Sequence, residues 1–326
     1  MRRPGRAEAL PGTVMLRFVL VRAAAFGLTL FLVALAVFLL LTVIPGDAAR
    51  LVVGPEATED AYRTARDALG LDRPWPARFA DWLGRALHGD LGESLVYRWP
   101  VADLVARGLS VTLPLALMST GLALVAALAF GVLAAARLGG WADLGVMAVA
   151  QLGMALPEFW LGILLMGYFA VRLRVLPSGG FPGWGRPGAL AYLVLPALAL
   201  ALPRGAYLAR MVRATLADVL SADYIRAARA RGVPERRLIA RHALRNAFVP
   251  VLAALGLTFG RLLAGTLVVE NVFSLPGMGW FALAAARGRD LPLLLAVAVI
   301  AAGAVVAVST LADLAYGLLD PRIRYR

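Results

Sequence analysis

The sequence predicts an all-α integral membrane protein with about six transmembrane helices and both termini in the cytoplasm. Hydrophobic residues make up 61% of the 326 residues and charged residues only 16%, against roughly 45–50% and about 25% in soluble domains. Uncharged apolar runs of about 20 residues, the length that crosses a bilayer as a helix, recur along the chain. Arg residues are concentrated in some of the segments between these runs, which is the pattern that orients a membrane protein.

The apolar runs divide the chain into six predicted spans and the segments that connect them. The first span covers residues 23–46 after a cytoplasmic N-terminus of residues 1–22, and its apolar run is longer than the roughly 7–15 residues of a signal-peptide core. An external segment, 47–107, precedes a core over residues 108–320, and a cytoplasmic tail covers 321–326. Within the core we expect five spans, at residues 108–136, 144–171, 190–208, 248–269 and 291–312.

The distribution of charge orients these spans. Residues 1–22 carry a net charge of +4, residues 204–246 carry +7 and residues 313–326 carry +1, whereas the external segment carries −2. Because cytoplasmic segments are enriched in Lys and Arg, the first three are predicted to lie inside. One short external loop runs against this rule, since it contains Arg172, Arg174 and Arg186. Topology accounts for most of the net charge of +13, which therefore does not indicate nucleic-acid binding.

The composition also excludes several kinds of chemistry. The chain has no Cys, and every one of its 33 basic residues is Arg. It therefore has no thiol nucleophile, no Cys-bound metal, no Schiff-base Lys and no Lys for a phosphate-binding P-loop. His88 and His242 are its only His residues, and they are far apart in the sequence. We expect neither a cofactor nor a metal site.

The external segment contains two predicted amphipathic helices. Residues 57–69 place apolar side chains at helical spacing between charged ones, and Pro74 and Pro76 interrupt the chain after them. A second helix carries apolar side chains at intervals of three and four residues: Phe79, Trp82, Leu83, Ala86 and Leu87. Such a segment is either a structural cap on the spans or a surface that receives a partner.

The cytoplasmic loop, 209–247, predicts two helices joined by an elbow. Residues 214–231 favour a helix because Ala and Arg are good helix formers. Gly232 and Pro234 end it, since Gly suits the position after a helix and Pro begins a helix more readily than it continues one. Glu235 then lies in the first turn of the second helix, where the helix dipole favours an anion.

This elbow resembles the coupling loop of bacterial ABC-importer permeases, in which two Ala residues are separated from a Gly by three residues. The matching residues are Ala227, Ala228 and Gly232, and the small Ala side chains allow close approach of another surface. The family usually has an acidic residue directly before the two Ala, where this chain has Arg226. Two stretches of the loop resemble the peptide/nickel branch of the family most closely, residues 223–232 and 241–247.

Further segments resemble the B-type subunit of that branch in the same order, so the resemblance covers about residues 15–324. They are the PGD turn at 45–47, the external stretches 69–74 and 89–94, and the stretches 273–279 and 289–292 before the last span. The resemblance implies the type I ABC-importer permease fold. It also implies a non-catalytic subunit in the bacterial cytoplasmic (inner) membrane.

The resemblance implies a path for peptides that a substrate-binding protein delivers. The implied partners are two ATPase subunits, a homologous second permease, an extracytoplasmic binding protein and the lipid bilayer, with no nucleic acid. The elbow would dock in a groove of an ATPase and transmit its closure to the spans. The implied coupling residues are Asp223, Tyr224, Ala227, Ala228, Gly232, Arg241, His242 and Asn246. Nickel, glutathione, an opine or a sugar-derived compound are alternative cargoes.

Two charged residues within the predicted spans are candidates for lining the path, because ionisable groups at this depth usually face a cavity or a partner. Glu158 follows Pro157 in the third span, and Arg261 interrupts the fifth. The alternatives are that Glu158 lies near a kink or an interface and extends its carboxylate toward water, and that Arg261 pairs with an acidic group. Five Gly residues either permit close helix contacts or reflect the frequency of Gly in membrane helices: Gly121, Gly131, Gly256, Gly260 and Gly265.

Two other classes of protein fit the sequence less well. An ion-coupled secondary transporter favours inverted repeats and paired acidic groups at mid-membrane, and Glu158 is the single candidate for such a group. A membrane enzyme needs a converging set of catalytic groups, which a chain without Cys or Lys and with two distant His residues does not offer.

Overall fold

The computed structural model describes residues 11–43, 48–54, 56–68 and 70–319, and these ranges form helices and no β-sheet. The PGD turn at residues 45–47 and the tail at 321–326 lie outside the described residues. The α-helices are α1 (Pro11–Val43), α2 (Ala48–Val53), α3 (Glu59–Ala68), α4 (Trp75–Leu87), α5 (Val101–Ala136), α6 (Trp141–Ala155), α7 (Glu158–Leu165), α8 (Ala191–Leu220), α9 (Asp223–Ala230), α10 (Glu235–Arg237), α11 (Leu244–Gly265), α12 (Leu267–Val272), α13 (Met278–Arg287) and α14 (Leu291–Leu319). Two π-helical stretches continue α7 and join α10 to α11, Met166–Arg172 and Leu238–Ala243.

The described helices account for the predicted spans. α1, α5, α8 and α14 are each long and apolar enough to cross a membrane, and two bent helix pairs bring the number to six if each pair is one span. The all-α fold class with about six spans is confirmed. The fourth span is longer than predicted, because α8 continues past the predicted end at residue 208 to Leu220.

The third predicted span, 144–171, is broken into two parts rather than formed by one straight helix. α6 ends at Ala155, α7 begins at Glu158, and the two parts meet at an angle of 101°. Pro157 explains the break, because a Pro disfavours helical backbone in the residue before it, and Leu156 is extended with φ −85° and ψ 129°. Glu158 therefore lies in the first turn of a helix, at the kink that was one of its two predicted positions.

α5 and α8 pack along much of their length and form the centre of the bundle. They approach closely at Gly131 of α5, where a Cβ atom would lie 2.7 Å from Val212 Cβ and 2.8 Å from the carbonyl oxygen of Ala209. A side chain does not fit at that distance, so the contact requires Gly. Gly121 on the same helix has no atom within 4 Å of the corresponding position, so Gly alone does not mark a helix contact.

α4 holds the external segment against the spans. Phe79 and Trp82 pack with Ala34 and Phe38 of α1 and with Leu295 of α14. The rings of Phe38 and Phe79 meet edge to face, with centroids 5.3 Å apart. Four of the five apolar residues predicted for this face are thus buried or partly buried within the chain, whereas Leu87 is exposed.

A second contact joins the external segment to the start of the last span through Asp290, which is fully buried. Ser94 Oγ donates to Asp290 Oδ2 at 2.5 Å, and the Val96 N–H donates to the same oxygen at 3.1 Å. The other oxygen accepts from the Leu293 N–H at 3.2 Å, as a residue that caps the N-terminus of a helix does. One carboxylate therefore caps α14 and fastens residues 94–96 to it.

A fully buried carboxylate, Glu270, lies near the end of α12. One of its oxygens accepts from Thr112 Oγ1 at 2.6 Å and from Thr266 Oγ1 at 2.8 Å. The other accepts from the N–H groups of Gly279 and Trp280, at 2.7 and 3.2 Å. These N–H groups belong to the first turn of α13, where the helix dipole favours a negative charge. Glu270 thereby connects α5, α12 and α13.

Candidate functional site

The cytoplasmic elbow begins where α8 ends. The single helix predicted over residues 214–231 is wrong, since α8 ends at Leu220 and a separate helix, α9, begins at Asp223. Arg226 donates from Nε and Nη2 to the carbonyl oxygen of Ser221, at 3.1 and 2.9 Å, which satisfies a carbonyl in the turn between the two helices. The residue that replaces the usual acidic residue of the motif thus stabilises this turn.

Gly232 ends α9 as predicted. Its φ of +79° is in the left-handed region that favours Gly. The Gly232 N–H donates to the carbonyl oxygen of Arg229 at 3.0 Å, and the Val233 N–H donates to that of Ala228 at 3.3 Å. These two hydrogen bonds form a Schellman motif. Pro234 then leads directly into α10, which begins at Glu235.

An ion pair bridges the two sides of the elbow. Arg229 of α9 donates from Nε and Nη2 to the two carboxylate oxygens of Glu235, at 3.1 and 2.8 Å. These hydrogen bonds raise the pKa of the Arg229 guanidinium, which lies outside the membrane-spanning segments. Both side chains are about half exposed, so the pair orients the elbow more than it stabilises it.

α9 has one buried and one exposed face. Ile225 and Ala228 are buried against Leu216 of α8 and Leu238 of the following helix. Of the two Ala residues in the motif, only Ala227 is exposed. Ala228 is buried, and its small side chain allows α9 to pack closely against the chain. The other exposed motif residues are Asp223, Tyr224 and Gly232.

The second stretch of the motif lies beside α9. Arg241 and His242 are exposed on the π-helical stretch Leu238–Ala243. Asn246 is exposed as well, and its Nδ2 donates to the hydroxyl oxygen of Tyr224 at 2.9 Å. The predicted coupling residues are therefore exposed on the elbow, apart from Ala228, which faces the core, and the contact between Tyr224 and Asn246 joins the two stretches of the motif.

Within the membrane, Glu158 pairs with a residue that the sequence analysis did not single out. Arg204 Nη1 lies 2.9 Å from Glu158 Oε1, and the same nitrogen donates to the carbonyl oxygen of Leu200 at 2.8 Å. The pair joins the start of α7 to the middle of α8. No sequence signal connects these two residues, because only the bend at Pro157 brings them together.

Arg261 of α11 is exposed on the surface of this single chain. It is one turn from Gly265, whose missing side chain would lie 3.9 Å from Arg204 Nη2. Residues four apart share a face of a helix. Arg261 therefore lies on the face of α11 that points toward the Glu158–Arg204 pair.

A second ion pair, which also has no signal in the sequence, joins α6 to α8. Arg213 of α8 donates from Nε and Nη2 to the two oxygens of Asp143 on α6, at 2.9 and 2.7 Å. The Gly139 N–H donates to the same carboxylate at 2.9 Å. This bidentate pair fixes the start of α6 against the cytoplasmic half of α8.

A helical protein with several membrane spans, an external segment and a folded cytoplasmic elbow has the architecture of a permease subunit of an ABC importer. A chain from a solved structure described as inward-facing conformations of the MetNI methionine ABC transporter has the same fold. The TM-score is 0.57 at 20% identity, over 67% of this chain and 96% of that chain.

The chain belongs to the family of binding-protein-dependent transport system inner membrane components, whose model matches residues 127–325. The N-terminal model of the same transport systems matches residues 15–116. The glutathione transport system permease protein of Escherichia coli K12 is 39% identical over 312 residues, which are 96% of this chain and 100% of that protein. A Brucella melitensis protein named as a peptide transport system permease is 39% identical over 314 residues, with 96% and 100% coverage.

These relatives confirm the resemblance that the elbow and the other motifs indicated. The chain is a permease subunit of an ABC importer and a multi-pass protein of the bacterial inner membrane. Membership of this family implies ATPase and substrate-binding protein partners.

Proposed function

We propose that this permease forms, together with a homologous second permease chain, a path for short peptides across the inner membrane, and that two ATPase subunits drive transport. The observation that carries this proposal is the match, over nearly the whole chain, to relatives named for peptide and glutathione transport. Glutathione is itself a tripeptide, so both names describe cargo with peptide bonds. Nickel, an opine and a sugar-derived compound are the competing cargoes.

The surface that contacts the ATPase in this proposal is the exposed side of the elbow. It comprises Asp223, Tyr224, Ala227, Gly232, Arg241, His242 and Asn246. The proposal that this surface transmits movement is supported by the way α9 is held in place. The Schellman motif, the Arg229–Glu235 pair and the buried face of α9 all restrict its position. A displacement of such a helix is passed to α8 and α11 instead of being absorbed locally. Movement between two packed arrangements of the spans then gives alternating access.

Ala227→Trp tests this docking surface. A Trp on the exposed face of α9 leaves the packing of the chain intact but obstructs a groove that accepts a methyl group. Overpacking of an interface costs about 1–3 kcal/mol, so we expect peptide uptake by the complete transporter in proteoliposomes to fall about fivefold or more. Ala80→Trp, on the exposed face of the external helix α4, is the matched control. Normal cargo-stimulated ATPase activity in the assembled Ala227→Trp transporter would contradict the proposal.

The Glu158–Arg204 pair and Arg261 are the proposed polar lining of the path. They share one side of the bundle and offer both charges to a zwitterionic peptide. We expect Glu158→Gln to change the apparent KM for peptide uptake, because it leaves Arg204 without its carboxylate partner. Glu56→Gln, at an exposed external position, is the control. An unchanged KM in Glu158→Gln would remove this pair from the path.

The cargo is tested most directly on the binding protein. We expect mass spectrometry of the ligand that copurifies with it to identify a short peptide, and competition in uptake assays to rank di- and tripeptides above Ni²⁺. The permease chain alone is expected not to hydrolyse ATP, since it has no Lys for a P-loop. Copurified nickel, or uptake that only Ni²⁺ inhibits, would replace the peptide with the competing cargo.

A further inference from the structure

A cavity of about 590 Å³ lies between α1, α4, the start of α14 and the turn after α3. Its apolar lining includes Phe38, Trp82, Leu95, Leu291 and Pro292. Its charged lining consists of Arg73, Arg78, Arg85, Asp67 and Asp81. The cavity is thus amphipathic, with an apolar side that continues onto the spans and a charged side formed by the external segment.

The cavity is at the level of the membrane boundary. Leu291 and Pro292 are the first residues of α14. Headgroups occupy a layer of about 5–7 Å on each side of the hydrocarbon core. A group bound in the cavity is therefore at the depth of the headgroups of the outer leaflet.

One cation of the cavity, Arg78, has no carboxylate partner among the residues that the structure describes. Arg78 is half-buried, with its guanidinium 5.7 Å from the centre of the Phe38 ring. Burial, with a smaller effect from the Arg66 cation, lowers the pKa of Arg78. Arg73, by contrast, is paired with Asp81.

We propose that this cavity binds a phospholipid of the outer leaflet through its phosphate group, with the Arg78 guanidinium as the donor to the phosphate oxygens. Arg85 adds a second cation, and Asp67 is placed to pair with the ammonium of an aminophospholipid such as phosphatidylethanolamine. The acyl chains follow the apolar side chains of α1 into the bilayer. Phe31, which is 41% exposed and has its ring centroid 5.8 Å from that of Phe79, lies along this route.

Native mass spectrometry of the full-length, delipidated protein in detergent tests the site. The ligands are dioctanoyl phosphatidylethanolamine, dioctanoylglycerol with the same chains but no phosphate, and inorganic phosphate. We expect phosphatidylethanolamine to bind and Arg78→Gln to weaken it about tenfold or more, since hydrogen bonds to a charged group are the strong ones.

Arg63→Gln is the matched control, because Arg63 is an exposed Arg of α3 outside the cavity. Arg78→Lys keeps the charge and is expected to bind better than Arg78→Gln, which separates a lost contact from a misfolded variant. Equal binding by wild type and Arg78→Gln, or equal binding of dioctanoylglycerol and phosphatidylethanolamine, would overturn the site. Arg78-dependent binding of inorganic phosphate by a protein that does not bind phosphatidylethanolamine would overturn the lipid as its ligand.

Discussion

Three carboxylate residues are buried among the described residues, and each accepts at least three hydrogen bonds. They are Asp143, Glu270 and Asp290. A buried charge is tolerated only when neighbouring groups replace the water that it has lost. In each case the donors come from different parts of the chain, so these residues fix the relative positions of helices that are distant in sequence.

Glu270→Ala is expected to destabilise the permease strongly. The change leaves the hydroxyls of Thr112 and Thr266 and the N–H groups at the start of α13 without their acceptor. Each buried group left without a partner costs about 1–3 kcal/mol, so we expect the free energy of unfolding to fall by at least about 3 kcal/mol. Unfolding in detergent measures the effect.

Glu56→Ala is the control for this change, because Glu56 is an exposed carboxylate of the external segment. We expect its unfolding curve to match that of the wild type. Equal stability of the Glu270→Ala and Glu56→Ala variants would contradict the role given to Glu270.

These residue-level contacts could not be predicted from the sequence. Thr112 and Glu270 are separated by 158 positions, and Glu158 and Arg204 meet only because the chain bends at Pro157. The sequence identified Glu158 as unusual because it is an isolated charge in an apolar run. It did not indicate the partner of Glu158, because pairing depends on how the helices pack.

At the scale of elements, the crossing of α5 and α8 depends on residues without bulky side chains. Gly131 lies against Val212 and the Ala209 carbonyl, while Gly205 of α8 lies against Ala123. Small residues let two helix backbones approach, so that van der Waals contacts and packing hold them together in a lipid environment.

Gly131→Ala and Gly121→Ala form a matched pair that tests this crossing. Both changes are on α5, but an added Cβ meets α8 only at residue 131. Gly131→Ala is expected to destabilise the chain by about 1–3 kcal/mol through overpacking. Gly121→Ala is expected to be neutral or stabilising by up to about 1 kcal/mol, because Ala favours helix. Thermal unfolding of the isolated chain in detergent measures the change in stability of each variant. Equal changes in the two variants would contradict the specific contact at Gly131.

The positions of the helices could be predicted from the sequence where they depend on residues that are close together in the chain. Apolar runs located the spans, and Gly232 and Pro234 located the elbow. The length of α8 was underestimated because Arg204, Arg210 and Arg213 end the apolar run without ending the helix. The turn at Ser221 and Ala222 was missed because the Ala and Arg residues around it favour helix, and the hydrogen bonds from Arg226 stabilise it.

At the scale of the whole molecule, the orientation in the membrane rests on the distribution of Arg. The elbow follows the C-terminal end of α8. The contact of Asp290 with residues 94–96 of the external segment lies at the start of α14. The charge rule assigns the elbow to the cytoplasm and the external segment to the outside. The boundaries of these segments stay a prediction.

The absence of Cys makes this topology easy to test, since a single introduced thiol has no background. Ala80→Cys places a thiol on the exposed face of α4, and Ala230→Cys places one at the exposed end of α9. We expect a membrane-impermeant maleimide to label Ala80→Cys on spheroplasts and to label Ala230→Cys only after the membrane is permeabilised. The reverse pattern would invert the predicted topology.

The contact at Gly131 also gives α8 a point about which the helix would tilt. The helix has 30 residues and is about 45 Å long, which exceeds the roughly 30 Å of a hydrocarbon core. Val212, which rests on Gly131, is eight residues from Leu220 at the elbow and eight residues from Arg204, or about 12 Å in each direction. If α8 tilts as a rigid rod about this contact, Leu220 and Arg204 are at equal distances from the axis of the tilt. A displacement imposed on the elbow then moves Arg204 by the same distance in the opposite direction.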